Sequence, residues 1–160
     1  MEILSDSHIS DLISIKKVAD RQLDTGSLRA SSFGHKKANF EVVGIEGSKF
    51  KVKIRQSPTN VLDFSIILSY YSPTTNVSYN LRRYNGNSHR HINAIEGDVI
   101  DHKFHIHKAT ERYQRLGKRI EDYATETREY SSIDECLIVF KRDCNITDGD
   151  TTETRLDDYG

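Results

Sequence analysis

The feature that most restricts the fold is a change in hydrophobic period near residue 39. Two segments, "NFEVVGIE" and "KFKVKIRQ", flank Gly47-Ser48 and alternate apolar with polar residues. Because successive side chains of a strand point to opposite faces, this pattern predicts a β-hairpin with one buried face. The outward positions of its second strand are all basic: Lys49, Lys51, Lys53 and Arg55. This ridge could contact nucleic acid, or it could be the ordinary solvated side of an antiparallel sheet.

Three further segments extend the sheet. "VLDFSIILSYYS" is the most apolar of them and is therefore expected at its centre. "VSYNLRRYN" and "DVIDHKFHIH" follow, connected by "PTTN" and "GNSHRHINAIEG". Since consecutive strands are usually neighbours, we expect a five-stranded antiparallel meander.

Helical patterns occupy the two ends of the chain. The first helix is expected over residues 6–21, with Ser5 or Asp6 as its cap, and "KATERYQRLGKRIEDYATET" has a helical composition with Gly117 as its weak point. The last helix, "SSIDECLIVFKRDCNI", has Ser132 as its expected cap. Three of its side chains should point inward: Ile133, Leu137 and Phe140. The expected fold is α+β, with one N-terminal and two C-terminal helices packed on the sheet in a single domain, 1–146, before an acidic, mobile tail, 147–160.

Composition narrows the class of protein. A chain of 160 residues suits one domain, and its 36% hydrophobic and 29% charged residues argue against disorder. No apolar run approaches the roughly 18 residues that cross a membrane, and the N-terminus has no signal-peptide pattern, so we expect a cytoplasmic protein with no membrane partner. Cys136 and Cys144 are two helical turns apart, about 12 Å, so both should be reduced and buried.

Charge is unevenly distributed along the chain. Residues 82–119 contain nine Arg or Lys and four acidic residues, whereas residues 143–160 contain six acidic residues and one Arg. A basic middle and an acidic end suggest a surface that faces a polyanion. Two ordinary solvated surfaces would produce the same pattern.

Five of the seven histidines lie between residues 89 and 107. Four of them form two H-x-H pairs, His89 with His91 and His105 with His107. On a strand, the two members of such a pair point to the same face. The link between the pairs allows their strands to be neighbours, so we expect both pairs to meet at one place.

The first interpretation of the pairs is acid–base chemistry on RNA. Metal-free RNA cleavage needs a base, an acid and a cation beside the phosphate, and histidine can be either acid or base near neutral pH. The candidate catalytic residues are His89, His91, His105 and His107. The candidate phosphate-binding residues are Arg83, Arg90, Lys108 and Arg112.

Two other interpretations stay open. The spacing of the H-x-H pairs also suits zinc or another transition metal, although no cysteine lies nearby and no carboxylate ligand is supported. Alternatively, the histidines line a sheet edge and have a structural role alone.

The segment after the second pair is basic and could also bind phosphate. If Lys108 opens a helix, the first turn of that helix, with Thr110, could receive a phosphate, but Glu111 would already satisfy the helix dipole. Four cations that follow could be a phosphate track or a solvated face: Arg112, Arg115, Lys118 and Arg119.

The stretch "LRRYNGNSHRHIN" resembles the TumE-type toxins of prokaryotic toxin–antitoxin pairs. In those proteins a strand ends in a tyrosine-containing turn, which is followed by an H-R-H motif and a C-terminal helix. The matching residues are Tyr84, Asn85, Gly86, His89, Arg90 and His91. The resemblance covers residues 60–146, and the N-terminal helix and the loop "TGSLRASSFGHKK" depart from it. It implies a toxin that acts on RNA, a partner antitoxin, and roles for the residues of the H-R-H motif.

We therefore predict a small intracellular toxin that cleaves RNA with its histidines and needs no metal. The alternative is a non-catalytic module that binds protein or nucleic acid, such as a phage-encoded or host inhibitor. A metal-dependent enzyme with an H-x-H site is the third hypothesis.

Overall fold

The computed structural model describes residues 2–31 and 34–149. Three helices lie in that part of the chain: α1 (Asp6–Ser14), α2 (Glu111–Arg115) and α3 (Ile133–Asp143). The strands there are β1 (Lys17–Ala19), β2 (Arg29–Ala30), β3 (Lys36–Gly44), β4 (Lys49–Gln56), β5 (Phe64–Tyr71), β6 (Ser78–Asn85), β7 (Arg90–Ile92), β8 (Val99–Asp101), β9 (His105–Lys108), β10 (Tyr123–Glu126) and β11 (Ile146–Thr147). None of these helices is long and apolar enough to cross a membrane.

Nine of the described strands form one sheet. Its order is β10-β9-β6-β5-β4-β3-β1-β11, with β2 paired to β3 outside this path. Neighbouring strands are antiparallel except β1 and β11, which are parallel. β7 and β8 form a separate hairpin. The expected α+β class is confirmed, whereas the expected five-stranded meander is wrong, because the sheet is larger and its pairing is mixed.

One side of the sheet carries the hydrophobic core. Alternate residues of the long strands are almost fully buried there, among them Phe40, Val52 and Tyr84. Buried side chains of α1 and α3 belong to the same cluster, and the ring of Phe140 packs edge-on against Tyr84 with 5.2 Å between the ring centres. We call the side of the main sheet that points away from α1 and α3 the outer face.

α1 is shorter than expected. Ser5 caps it by accepting a hydrogen bond from the His8 N–H, but the helix ends at Ser14 and not at Arg21. Ile15 is extended, with φ −53° and ψ 136°, and the chain then forms β1 beside β3. Pairing with β3 and β11 outweighs the helical pattern of residues 15–21, two of which, Ile15 and Val18, are β-branched.

Lys17 of β1 connects the ends of two helices. Its side chain is buried, and Nζ donates to the carbonyls of Ile13 at 2.7 Å, Ile15 at 2.8 Å and Cys144 at 2.8 Å. These carbonyls lie at the C-terminal ends of α1 and α3, where a cation is favoured by the helix dipole. Burial lowers the pKa of the Lys17 ammonium to about 8.

The prediction of one helix over residues 108–127 is correct only near its start, where α2 forms, and is wrong for the residues after α2. α2 has five residues, and Gly117 follows it with a φ of +72°, a left-handed conformation that ends a helix. Residues 123–126 then form β10, which pairs with β9. β10 has four residues, which are too few to show the apolar–polar alternation that would have predicted a strand.

The expected fifth strand is broken in two. His102 has a left-handed φ of +53°, so the chain turns sharply between β8 and β9. β8 pairs with β7, whereas β9 pairs with β6. The segment therefore supplies a small hairpin as well as one strand of the main sheet.

α3 follows its prediction. Ser132 caps it by accepting a hydrogen bond from the Glu135 N–H, and Cys136 and Cys144 are free and buried as expected. Its three predicted inward side chains are buried: Ile133, Leu137 and Phe140. The expected tail falls only in part within the described residues, since β11 covers Ile146–Thr147 and residues 150–160 lie outside them.

Candidate functional site

β6 and β9 place two of the predicted histidines side by side on the outer face. His107 lies opposite Arg83 and His105 lies opposite Asn85 in the register of these strands. Both imidazoles are almost completely buried, with 1% of His105 and 3% of His107 exposed. Ile106, between them, belongs to the core on the other side of the sheet, as the H-x-H alternation predicts.

The β7–β8 hairpin adds a third histidine. The ring centre of His91 lies 4.7 Å from that of His107 and 6.1 Å from that of His105, and the last two are 5.1 Å apart. We call these three residues the histidine cluster. His89 does not join it, since its side chain is 68% exposed and its Nε2 lies 3.5 Å from Asp63 Oδ1. The structure thus brings together three of the four predicted catalytic residues.

Two backbone carbonyls set the tautomers of the buried pair. His105 Nδ1 donates to the Lys103 carbonyl at 2.7 Å, and His107 Nδ1 donates to the Glu121 carbonyl at 2.9 Å. In the neutral rings, Nε2 therefore carries the lone pair. The Asn85 amide donates to His105 Nε2 at 3.3 Å.

Burial keeps this pair uncharged at neutral pH. Burial, together with the neighbouring His105 and His91, lowers the pKa of His107 to about 3. Burial also lowers the pKa of His105. An imidazole with so low a pKa is a weak base and is not protonated to act as an imidazolium acid near pH 7. His91, which is half-buried, is the cluster member nearest to solvent.

Metal binding is the other chemical hypothesis for the H-x-H pairs. Within residues 2–31 and 34–149, no three His, Cys, Asp or Glu side chains are placed so that they could hold a metal ion. His91 Nε2 instead donates to Asn93 Oδ1 at 3.0 Å. A site for zinc or another transition metal therefore stays a prediction.

Asn93 attaches the hairpin to the edge of the sheet. Its buried side-chain amide accepts from the Ala124 N–H and donates to the Ala124 carbonyl, both at 2.8 Å, as a neighbouring strand would. Glu96, in the turn of the hairpin, accepts from the Tyr113 hydroxyl at 2.6 Å and pairs with Arg112 at 2.5 Å. The hairpin therefore blocks this edge of β10 and covers the buried histidines.

A buried carboxylate joins the histidine cluster to β6. Glu121 is 1% exposed and accepts from Arg83 at 3.0 Å and from Asn80 at 2.9 Å. Arg119 Nε lies 3.8 Å from its other oxygen. Burial lowers the pKa of the Arg83 guanidinium, while Glu121 raises it. Sequence reasoning missed Glu121, because it lies in a segment whose composition is helical.

The four predicted phosphate-binding residues are not brought to one place. Arg83 is paired with Glu121, and Arg90 is exposed on the hairpin. Lys108 lines a cavity of about 420 Å³ beside α1, away from the histidine cluster. Arg112 is held by the carboxylate in the turn of the hairpin.

The start of α2 already has its own partners. Thr110 caps the helix by accepting from the Tyr113 N–H, and the Asp6 carboxylate accepts from the Glu111 N–H at 2.8 Å. Arg115 pairs with Glu111 at 2.7 Å. The four cations that the sequence offers as either a phosphate track or a solvated face do not share one helical face, because α2 ends at Arg115.

The outer face is strongly basic. Its alternating positions on β3 to β6 carry one carboxylate, Glu41, and six cations: Lys37, Lys49, Lys51, Lys53, Arg55 and Arg83. The whole chain has a net charge of −1, so positive charge is concentrated on this side. α1 and α3, on the other side, carry five acidic and two basic residues. Among the described residues, Lys53 has no ion-pair partner, and Arg55 donates only to Ser65.

Two surface hollows lie along the outer face and share Lys53. The first has a volume of about 320 Å³ and lies over β3, β4 and β5. The second has a volume of about 590 Å³ and lies between Asn80 of β6 and the turn at residues 117–121, with Arg119 at its wall. Together they make a basic path from the middle of the sheet toward Glu121 and the histidine cluster.

No protein-family model, curated protein or solved structure matches this chain. The resemblance to TumE-type toxins therefore stays a prediction that rests on six residues of the sequence.

Proposed function

We propose that this protein binds RNA on its outer face. The observation that supports the proposal best is the set of five exposed or half-buried cations against one carboxylate on β3 and β4, since the sixth cation, Arg83, is paired with buried Glu121. A phosphodiester chain binds such a surface through charge attraction and the release of counterions. The excess of acidic residues on α1 and α3 disfavours binding on the opposite side. RNA is chosen over DNA because of the resemblance to toxins that act on RNA.

Charge reversal on β4 tests the proposal. Fluorescence anisotropy of a labelled RNA is measured for the wild type, Lys53→Glu and Arg55→Glu at several salt concentrations. Each variant should bind about tenfold more weakly at low salt, and the slope of log Kd against log salt should become shallower by about one. The matched control is Arg142→Glu on α3, a 60% exposed cation on the opposite side of the sheet.

Two outcomes would contradict the proposal. Lys53→Glu and Arg55→Glu could bind RNA as tightly as the wild type, or Arg142→Glu could lose as much affinity as they do. The first result would mean that the outer face does not contact the phosphates. The second would mean that attraction depends on net charge alone.

RNA cleavage is a second candidate function, supported by the position of His91. This half-buried imidazole packs against His107, whose strand neighbour is Arg83 and whose Nδ1 donates to the carbonyl of Glu121, a residue that lines the second hollow. An imidazole that solvent can reach is able to accept the proton of an RNA 2′-hydroxyl, which is the first requirement for metal-free cleavage. Because His105 and His107 are buried and neutral, His91 is the member of the cluster that would contact substrate.

A nuclease assay separates cleavage from binding. Labelled total RNA is incubated with the wild type, His91→Ala and the exposed control His8→Ala, with and without EDTA. Cleavage that survives EDTA and is lost in His91→Ala alone would support metal-free catalysis. Cleavage abolished by EDTA would favour the metal-dependent hypothesis. A folded protein that binds RNA and does not cleave it would leave binding as the function.

A neutralising antitoxin and a cytoplasmic location stay predictions from the TumE-type resemblance and from composition. A toxin should stop cell growth when it is expressed alone and permit growth when its antitoxin is expressed with it. Normal growth at high expression of the folded chain would favour the non-catalytic binding module.

A further inference from the structure

The first hollow on the outer face has an apolar floor inside a ring of cations. Ile67 and Tyr71 of β5 are half-buried and line it, and Lys53 lies directly opposite Ile67 in the register of β4 and β5. Lys51 Nζ lies 5.6 Å from the centre of the Tyr71 ring. The solvated side of an antiparallel sheet usually carries polar side chains. Ile67 and Tyr71 therefore offer an apolar contact that would suit a nucleobase and not a phosphate.

The same hollow is also lined by a side-chain amide that makes no hydrogen bond to the described residues. Asn39 of β3 is exposed and lines the hollow, and its side chain has no hydrogen-bond partner among the described residues. Arg21 donates to its backbone carbonyl and leaves the side chain unoccupied. An amide supplies both a donor and an acceptor, which is the pattern that the edge of a nucleobase can match.

We infer that the outer face selects single-stranded RNA, with one unpaired base in this hollow and its flanking phosphates on Lys53 and Arg55. The inference rests on the proposed RNA-binding function. A base would pack its flat face on Tyr71 and Ile67 and present its edge to Asn39. In a duplex the bases are stacked on one another and paired, so they cannot enter a hollow on a sheet surface, whereas an unpaired base can.

Anisotropy titrations with two RNAs test the inference. The probes are a labelled oligouridylate of roughly 12 nucleotides, within the usual range of site sizes, and a labelled RNA duplex of the same length. The wild type should bind the single strand about tenfold more tightly than the duplex. Tyr71→Ala should lose about tenfold in affinity for the single strand and nothing for the duplex, since base–aromatic stacking is removed. Tyr71→Phe keeps the ring and should bind like the wild type.

Asn39→Asp provides a second test that does not depend on the stability of Tyr71→Ala. It places a carboxylate at an exposed position of the hollow and should weaken single-strand binding about tenfold, while its circular dichroism spectrum should match that of the wild type. Equal affinity of the wild type for the two RNAs, or unchanged single-strand binding by Asn39→Asp and Tyr71→Ala, would overturn the inference and leave RNA binding standing. Failure of the folded wild type to bind either RNA would overturn the proposed function itself.

Discussion

Acidification should destabilise this protein through its buried histidines. Burial lowers the pKa of His107 to about 3, whereas histidine ordinarily titrates near 6.5. Between these two values the unfolded chain binds more protons than the folded protein, so the free energy of unfolding decreases as the pH falls below about 6.5. Each pH unit within this window costs about 1.4 kcal/mol for one such group.

The magnitude follows from the width of the window. At about pH 5, His107 alone should lower the free energy of unfolding by about 2 kcal/mol relative to about pH 7.5. The assay is urea unfolding of the wild type and of His107→Asn at both pH values. The amide of Asn can reproduce the hydrogen bond from His107 Nδ1 to the Glu121 carbonyl, and it does not titrate. The variant should therefore lose about 2 kcal/mol less than the wild type on acidification.

The exposed His8 supplies the matched control for His107. His8→Asn removes an exposed histidine on α1, leaves the histidine cluster intact and should retain the acid sensitivity of the wild type. His105, whose pKa is also lowered by burial, contributes to the wild-type loss in the same direction. Equal acid sensitivity of His107→Asn and the wild type would refute the reasoning, because His107 would then not be held neutral by burial.

Three further predictions concern the fold. Lys17→Met should lower the free energy of unfolding by about 3 kcal/mol in urea, because three carbonyl oxygens lose their donor; unchanged stability would contradict this account of the helix ends. Asn93→Ala should speed hydrogen exchange of the Ala124 amide about tenfold or more, because that N–H loses its acceptor; unchanged protection would show that the hairpin is held in another way. Cys136 and Cys144 should resist iodoacetamide at about pH 8 in the folded protein, because burial raises the pKa of both thiols; rapid labelling of the native state would contradict their burial.

Local sequence patterns predict the long elements and not the short ones. β3, β4 and β6 follow from alternation of apolar and polar residues, and β5 follows from its apolar run. α3 follows from its apolar stripe and from the Ser132 cap. β1, β7, β10 and β11 have two to four residues each, which is too few for a periodic signal. These segments become strands because they pair with neighbouring strands, and such pairing depends on the tertiary structure and not on the local sequence.

The histidine cluster is predictable in part for the same reason. That His105 and His107 share a face follows from the period of a strand. That His91 joins them depends on the left-handed turn at His102 and on the attachment of Asn93 to β10, neither of which has a local signal. The buried position of Glu121 could have been suspected only from Gly117, the weak point of the expected helix four residues before it.

Photo-crosslinking tests the central claim, RNA binding on the outer face, most directly. The full chain is mixed with RNA that contains 4-thiouridine, irradiated, digested and analysed by mass spectrometry. The account predicts cross-linked peptides from residues 49–56 and 64–71, the strands that carry Lys53 and Tyr71, and none from α1 or α3. Cross-links that fall on α1 and α3, or a folded protein that forms none at low salt, would contradict it.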